Sequence, residues 1–303
     1  MNTFLYFLVV AIWGTTWIAI KMQLGSVAIP LSIAYRFGLA ALVLFLFLAL
    51  SGRLKRPPAN ALKLLLAQGL CLFCLNFLCF YYASQWIPSG LVAVVFSSAP
   101  LWNAINGRLF LGRSITPQVM GGALLGMCGI LALFWPEMQH HALGRDTWLG
   151  LGLALAGTLC FSIGNLLSSA LQARGLTPLV TNAWAMLVGT TILLAGIVLG
   201  SVPLTMDWQP TYLAALLYLA IPGSVIGFTA YLMLVGRIGP DRAAYSTVLF
   251  PVVSLNISAW LEGYQWTGIA LGGLLLVIAG NILVFRKPGR TLAMPAKACV
   301  DVR

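Results

Sequence analysis

Ten long apolar stretches follow one another along the chain, separated by short breaks that hold charged, glycine or proline residues. A helix that crosses a bilayer needs about 20 mostly apolar residues. Of all residues, 60% are hydrophobic and only 8% are charged, which excludes a water-soluble fold. We therefore predict an all-α polytopic membrane protein with ten transmembrane helices. The predicted spans are 2–22, 28–50, 61–83, 88–108, 115–135, 147–170, 176–200, 211–235, 240–261 and 266–285.

Basic residues are distributed unevenly between alternate connections. If the N-terminus is cytoplasmic, the inner connections and the tail hold 14 of the 17 Lys and Arg residues, and the outer connections hold only Arg145. Cytoplasmic loops of membrane proteins carry an excess of Lys and Arg. This bias accounts for the net charge of +11 without a nucleic-acid partner, and it predicts that both termini are cytoplasmic.

The second half of the chain repeats the first. Residues near the start of each half match at an offset of 148, and later residues match at an offset of 151. The matched pairs are Trp13 with Phe161, Trp17 with Asn165, Pro30 with Pro178, Pro100 with Pro251, Gly112 with Gly263, Gly121 with Gly272, Gly122 with Gly273, and Gly129 with Gly280.

Each half of this duplication holds five predicted spans. Because five is an odd number, the two halves must enter the membrane in opposite orientations. We expect a first repeat over residues 1–140, a second over 141–286 and a basic cytoplasmic tail over 287–303. Inverted repeats are typical of transporters, whose substrate sites form near the midplane between the repeats.

Several short features carry a family resemblance: Trp13-Gly14-Thr15-Thr16-Trp17, Lys21, Arg36, Ser97-Ser98-Ala99-Pro100 and the paired Gly112 and Gly263. With the span count and the duplication, they resemble the EamA type of the drug/metabolite transporter superfamily over about residues 2–286. The resemblance implies a 5+5 inverted repeat in a bacterial inner membrane and export of small metabolites. Within the family, the chain is most similar to bacterial aromatic amino-acid exporters.

One departure from the family pattern concerns loop carboxylates. The family commonly has an acidic residue after the glycine that ends the fourth span of each half. Here the second half has Leu261-Glu262-Gly263, but the first half has Gly112-Arg113. A role shared by two such carboxylates is therefore not implied for this chain.

The sixth span carries one polar helical stripe, whose members recur at intervals of three, four and seven residues. Polar groups that face lipid cost free energy, so the stripe must face protein or a watery cavity. The matching part of the first span holds Trp13, Trp17 and Lys21. Aromatic walls with a few polar anchors suit an amino-acid zwitterion, although the same residue types also form hydrogen bonds between packed helices. The stripe comprises Thr158, Phe161, Ser162, Asn165, Ser168, Ser169 and Gln172.

Arg36 is the one permanent charge well inside a predicted span, about eight residues or ~12 Å from the end of its helix. It needs a partner, and every Asp and Glu falls in a connection, at a span end or in the tail. Two interpretations remain open. In the first, the role is structural, and the guanidinium binds backbone carbonyls or reaches out to the membrane surface. In the second, the guanidinium binds the carboxylate of the substrate.

Prolines interrupt spans at matching positions of the two halves, which in inverted-repeat transporters points to the binding site. Pro100, Pro222 and Pro251 are the candidate kinks or hinges, either purely structural or functional. Further candidate substrate contacts lie elsewhere in the spans, although Trp and Tyr near span ends also serve as interface anchors. These candidates are Asn76, Tyr82, Ser97, Trp102 and Ser246.

Other classes of function fit the sequence less well. A lipid-modifying enzyme would need clustered carboxylates for Mg²⁺, and a cation channel would need acidic rings or a carbonyl filter. The cysteines lie in apolar segments or the tail, and the two histidines are adjacent in one loop, so we expect no disulfide, no metal site, no cofactor and no catalytic residue. An exchanger of phosphorylated metabolites or nucleotide sugars would need several cations in its cavity.

We therefore expect an exporter of amino acids with apolar or aromatic side chains, working by alternating access. Because no Asp, Glu or His lies inside a predicted span, we expect facilitated rather than proton-coupled transport. The expected partners are the small-molecule substrate and the lipid bilayer, with no nucleic acid, and a monomer suffices for this architecture.

Overall fold

The computed structural model describes residues 2–112, 117–140 and 145–285, and in these ranges the regular structure is helical. The helices form ten consecutive segments, α1 to α10. Their bounds are Asn2–Met22 for α1, Ile29–Leu50 for α2, Ala59–Trp86 for α3, Ser89–Phe96 and Ala99–Leu111 for the two pieces of α4, Pro117–His140 for α5, Arg145–Ala173 for α6, Pro178–Leu199 for α7, Pro210–Ile238 for α8, Pro240–Ala243, Tyr245–Val248 and Phe250–Leu261 for the three pieces of α9, and Gly268–Phe285 for α10.

These helices agree with the predicted spans to within about five residues at each end. Six of them are long and apolar enough to cross a membrane, and shorter apolar helices lie in α5, α9 and α10. The division between repeats predicted at residues 140 and 141 borders 141–144, which lie outside the described residues, as does the tail from 286 onward.

Proline and glycine set the helix boundaries. Pro30, Pro178 and Pro210 lie in the first turns of α2, α7 and α8. A backbone N–H in the first turn has no acceptor within the helix, so proline loses no hydrogen bond there. Gly112 and Gly263 follow α4 and α9 with φ of +65° and +75°, a left-handed conformation that favours glycine. The paired glycines of the sequence therefore end equivalent helices.

The contacts between helices follow the inverted repeat. Helix α1 packs against α8 and α9 of the second half, and its counterpart α6 packs against α3 and α4 of the first half. Equivalent helices also pair with each other, α2 with α7, α4 with α9, and α5 with α10. The two halves therefore use equivalent helices to contact each other, and the interface between the halves runs through the middle of the bundle.

Two equivalent helices, α3 and α8, each contain a π-helical stretch. The stretch is Cys71–Leu75 in α3 and Leu219–Ile226 in α8, and Pro222 lies inside the second. π-Helical turns are rare and frequently occur at functional sites. Both stretches lie at the level where the two halves meet.

Helices α4 and α9 are discontinuous. Pro100 and Pro251 occupy the first turn of a new helical piece, so each proline follows a break rather than bending a continuous helix. Ser97 and Ser98 donate hydrogen bonds to the carbonyls of Val94 and Val95, at 2.6 Å each. These hydroxyls satisfy carbonyls that the break releases.

Candidate functional site

A small central cavity lies between the two halves and has a volume of about 30 Å³. Five predicted site residues line it, namely Trp13, Trp17, Arg36, Asn76 and Phe161. Six further residues complete the lining, which are Thr16, Ile20, Phe77, Phe80, Phe96 and Phe228. The wall of the cavity is thus mainly aromatic, with a few polar groups from α1, α2 and α3.

The aromatic rings pack edge to face around the cavity. Trp13 lies 4.7 Å from Phe228 and 6.0 Å from Phe161, measured between ring centroids. Trp17 lies 5.2 Å from Phe80 and 5.3 Å from Phe96. Such pairs are favoured beyond the area they bury, so the rings form a stable apolar wall with contributions from both repeats.

Arg36 is only 2% exposed, so its side chain does not reach out to the membrane surface. Its Nε donates a hydrogen bond to Ser224 Oγ at 3.0 Å, and the guanidinium carbon lies 4.3 Å from the centre of the Phe77 ring. The Tyr81 hydroxyl also interacts with this guanidinium. The charge is therefore held by hydroxyls and aromatic faces rather than by an acidic partner.

Three buried polar atoms around the central cavity have no hydrogen-bond partner among the described residues. They are Nη1 of Arg36, Nε1 of Trp17 and Oδ1 of Asn76. An unsatisfied buried donor or acceptor costs about 1–3 kcal/mol, more for a charged group. Two donors and one acceptor in a dry aromatic cavity are the groups that a small polar ligand would satisfy.

The polar stripe of α6 makes mostly packing contacts. Ser162 Oγ accepts a hydrogen bond from Asn106 at 2.9 Å, and Asn165 Nδ2 donates to the Tyr231 hydroxyl at 3.2 Å. Gln172 donates to the carbonyl of Leu232 at 3.1 Å. Of the stripe, the structure brings Phe161 to the central cavity, whereas Asn165 lies behind the aromatic wall next to Tyr231.

Besides Asn165, four predicted site residues lie away from the central cavity. Ser97 and Trp102 line a second, lateral pocket of about 340 Å³ between α4, α5, α6 and α10. Tyr82 is 39% exposed. Ser246 is buried and donates to the carbonyl of Ala243 at 2.9 Å, beside a break in α9.

A third pocket of about 490 Å³ lies at the end of the bundle where α1 and α9 finish and α4 begins. We call it the end pocket, and two of its lining residues are Lys21 and Glu262. Lys21 donates to the carbonyl of Ser84 at 2.7 Å. The end pocket is separate from the central cavity, so Lys21 does not share a site with Arg36.

Glu262 joins the two repeats at this end pocket. Its carboxylate oxygens accept hydrogen bonds from the backbone N–H of Ser89 at 3.2 and 3.1 Å, and from the Ser89 hydroxyl. A further bond comes from Ser258 Oγ at 2.7 Å. Because Ser89 begins α4, the carboxylate sits at a helix N-terminus, where negative charge is favoured.

Sequence reasoning did not single out Phe77, Phe80, Phe96, Phe228 or Ser224. The residues around them in the sequence are also apolar. The sequence therefore does not distinguish the helix face that contacts lipid from the face that lines the cavity. The one usable signal is the spacing of Phe80, which follows Asn76 by four residues and therefore lies on the same helix face.

Comparison with known proteins gives the family. The family model of the EamA-like transporter family matches residues 2–135 and 148–286, and so covers both repeats. The chain belongs to this family. The match to both halves agrees with the duplication that the sequence offsets and the helix contacts indicate.

Relatives from bacteria share the full length of the chain. A probable amino-acid metabolite efflux pump of Salmonella typhimurium is 29% identical over 93% of this chain and 95% of the relative. Its counterpart of the same name in Escherichia coli is 28% identical over 90% of this chain and 91% of the relative. An Escherichia coli inner membrane transporter, YedA, is 28% identical over 91% of this chain and 90% of the relative.

A solved crystal structure has the same overall fold. It superposes with a TM-score of 0.70 over 94% of this chain and 96% of the other, at 18% identity. This similarity concerns the fold alone. Together with the family match, it makes this chain a multi-pass membrane transporter of the EamA type.

Proposed function

We propose that this protein exports amino acids with apolar or aromatic side chains across a bacterial inner membrane. The observation that carries the proposal is the set of three unpartnered polar atoms on the aromatic central cavity. Nη1 of Arg36 and Nε1 of Trp17 are donors that match a carboxylate. Oδ1 of Asn76 is an acceptor that matches an ammonium group, and the rings suit an apolar side chain.

The charges around the cavity favour a zwitterion over a phosphorylated substrate. Of the described residues that line the central cavity, Arg36 alone carries a formal charge. One cation balances one carboxylate, whereas a phosphate monoester or a nucleotide sugar brings about two negative charges. The names of the relatives, probable amino-acid metabolite efflux pumps, support the same substrate class.

The size of the cavity supports transport by alternating access. Its volume of about 30 Å³ is two to three times the ~10–15 Å³ that a cavity needs to hold one water molecule. An amino acid is several times larger than water, so the two halves must move apart to admit one. Rocking of inverted repeats around a central site is the motion that this architecture provides.

We propose that the N-terminus is cytoplasmic, on the basis of the Lys and Arg distribution. The end pocket then faces the periplasm, and the contact between Glu262 and Ser89 holds the outer side closed. At the other side, Asn103 Nδ2 lies 3.4 Å from the carbonyl of Pro240, where α4 meets the start of α9. The structure thus corresponds to a closed state between the inward-open and outward-open forms.

Counterflow in liposomes tests the proposed substrate class. Purified protein in vesicles preloaded with unlabelled phenylalanine or leucine should take up labelled phenylalanine transiently, and vesicles preloaded with a sugar phosphate should not. Protein-free vesicles give the background. Counterflow with sugar phosphates or nucleotide sugars, and none with any amino acid, would replace this proposal with the exchanger of phosphorylated metabolites.

A further inference from the structure

The π-helical stretches of the two repeats differ in length. The stretch in α8, Leu219–Ile226, has eight residues, and the one in α3, Cys71–Leu75, has five. The π-helical backbone of the second repeat is therefore three residues longer.

The centre of the longer stretch is Pro222-Gly223-Ser224, and two of these residues bind the central site. Ser224 Oγ accepts the hydrogen bond from Arg36 Nε at 3.0 Å and itself donates to the carbonyl of Leu219 at 2.8 Å. The carbonyl of Gly223 accepts a hydrogen bond from Trp13 Nε1 at 2.9 Å.

Glycine at position 223 lets the backbone come close to the site. A Cβ atom built there would lie 3.1 Å from Thr16 Cγ2 and 3.6 Å from Arg36 Nη2. The first distance is tighter than ordinary van der Waals contact, and the second is an ordinary contact. A side chain at this position would therefore press on Thr16, next to the guanidinium of Arg36.

The equivalent of Arg36 in the second repeat is Trp184, whose indole N–H donates to the carbonyl of Lys55 at an exposed site. The longer π-helical stretch and the cation that it binds thus both break the symmetry between the repeats. They give the central cavity one cationic pole, next to α8, in a wall that is mainly aromatic.

We infer that the longer π-helical stretch in α8 is the specificity element of the site, and that Ser224 is the positioning residue that aims Arg36 at the α-carboxylate of the substrate. The inference rests on the proposed function. The hydroxyl fixes Nε of the guanidinium, and this leaves Nη1 for the ligand. Metabolites with an α-carboxylate bind at this pole, and the corresponding amines are rejected because they leave the buried cation without an acceptor.

The test compares phenylalanine with phenethylamine, its decarboxylated analogue, in liposomes with the wild type and Ser224→Ala. We expect Ser224→Ala to raise the KM for phenylalanine about tenfold while the maximal rate changes little. Ser224→Thr keeps a hydroxyl and should restore most of the affinity. Ser254→Ala is the matched control, because this buried hydroxyl donates to the carbonyl of Phe250 in its own helix.

Gly223→Ala provides a second variant that keeps Ser224. The added methyl group should displace Thr16 next to the guanidinium, so the KM for phenylalanine should again rise while folding, measured by monodisperse elution in detergent, is retained. If the wild type transports phenylalanine and both variants keep the wild-type KM, the inference is wrong and the proposed function stands. If the wild type transports no amino acid at all, the proposed function itself fails.

Discussion

Trp17 shows how a single side chain serves two purposes around the central cavity. Its ring is part of the aromatic wall, 5.2 Å from Phe80, and its indole N–H lacks a partner among the described residues. We propose that the ring gives the preference for apolar substrates. We propose that the N–H binds the substrate carboxylate together with Arg36, and the two contributions are separable by substitution.

Trp17→Phe keeps an aromatic wall and removes the N–H donor. We expect the KM for phenylalanine to rise about tenfold to a hundredfold, the value of one lost hydrogen bond to a charged group. The abundance of the protein in the membrane should stay near that of the wild type. Trp260→Phe is the control, since Trp260 is 84% exposed. Unchanged KM in Trp17→Phe would mean that the indole N–H does not touch the substrate.

At the scale of helices, the α5 and α10 pair shows why the sequence repeats its glycines. A Cβ built at Gly129 would lie 2.6 Å from the carbonyl oxygen of Gly273, and one built at Gly280 would lie 2.6 Å from that of Gly122. These reciprocal contacts cross the pairs given by the offset of 151, because Gly129 contacts the counterpart of Gly122, and Gly122 contacts the counterpart of Gly129. Small residues allow this close approach of membrane helices.

Two adjacent glycines on α10 give a direct test of this packing. Gly273→Ala would bring its Cβ 2.7 Å from the carbonyl oxygen of Gly129, so we expect a loss of about 1–3 kcal/mol of stability. Gly272→Ala meets nothing within 4 Å and should be neutral. Thermal unfolding in detergent measures both. Equal midpoints for the two variants would contradict the close helix contact.

We propose that the contact between Glu262 and Ser89 keeps the central cavity closed on the side of the end pocket. We expect Glu262→Ala to raise the fraction of protein that is open at this end. The measurement is the reaction of Ile20→Cys with an impermeant maleimide from the periplasmic side, in a background without native cysteines. Ile20 lines the central cavity and is 2% exposed, so the label reaches it only after opening.

Asp207→Asn is the control for this labelling experiment. Asp207 also lies between helices, at an exposed site, and its carboxylate accepts a hydrogen bond from Ser26 Oγ at 2.6 Å. Loss of the Asp207 carboxylate should leave the labelling rate of Ile20→Cys unchanged. If Glu262→Ala labels no faster than Asp207→Asn, the carboxylate of Glu262 does not hold the end pocket closed.

At the scale of the whole molecule, the helices and the repeat could be predicted, and the site could be predicted only in part. Apolar length and glycine or proline breaks are strong signals in a membrane protein, because lipid tolerates little else. Trp13, Trp17 and Arg36 were identifiable because polar or aromatic groups recur at helical spacing.

The rest of the site depends on how each helix is rotated. Lipid and a dry cavity both favour apolar residues, so Phe77 and Phe228 carry no sequence signal that separates the two environments. For the same reason Tyr82 and Trp102 were candidates, although the structure places them away from the central cavity. The role of Ser224 depends on a π-helical stretch, which no residue pattern in the sequence marks.

The mode of energy coupling is a property of the whole transporter. A carboxylate or histidine within the membrane usually titrates when transport is coupled to protons. The interiors of the spans predicted from the sequence contain none, since Asp241 lies at the very start of its span. We therefore expect liposomes to equilibrate phenylalanine without accumulating it when a pH gradient is imposed. Collapse of the gradient with an ionophore is the control. Sustained accumulation that the ionophore abolishes would contradict facilitated transport and direct attention to Glu262.

The central claim is that the cavity between the repeats binds an amino-acid zwitterion through Arg36. The most direct measurement is counterflow of labelled phenylalanine and labelled phenethylamine by the wild type, Arg36→Gln and the exposed-cation control Lys63→Gln. The account predicts that the wild type and the control transport phenylalanine in strong preference to phenethylamine. It predicts that Arg36→Gln loses phenylalanine transport selectively, with membrane abundance retained. Equal loss of both substrates in Arg36→Gln, or unchanged phenylalanine transport, would contradict it.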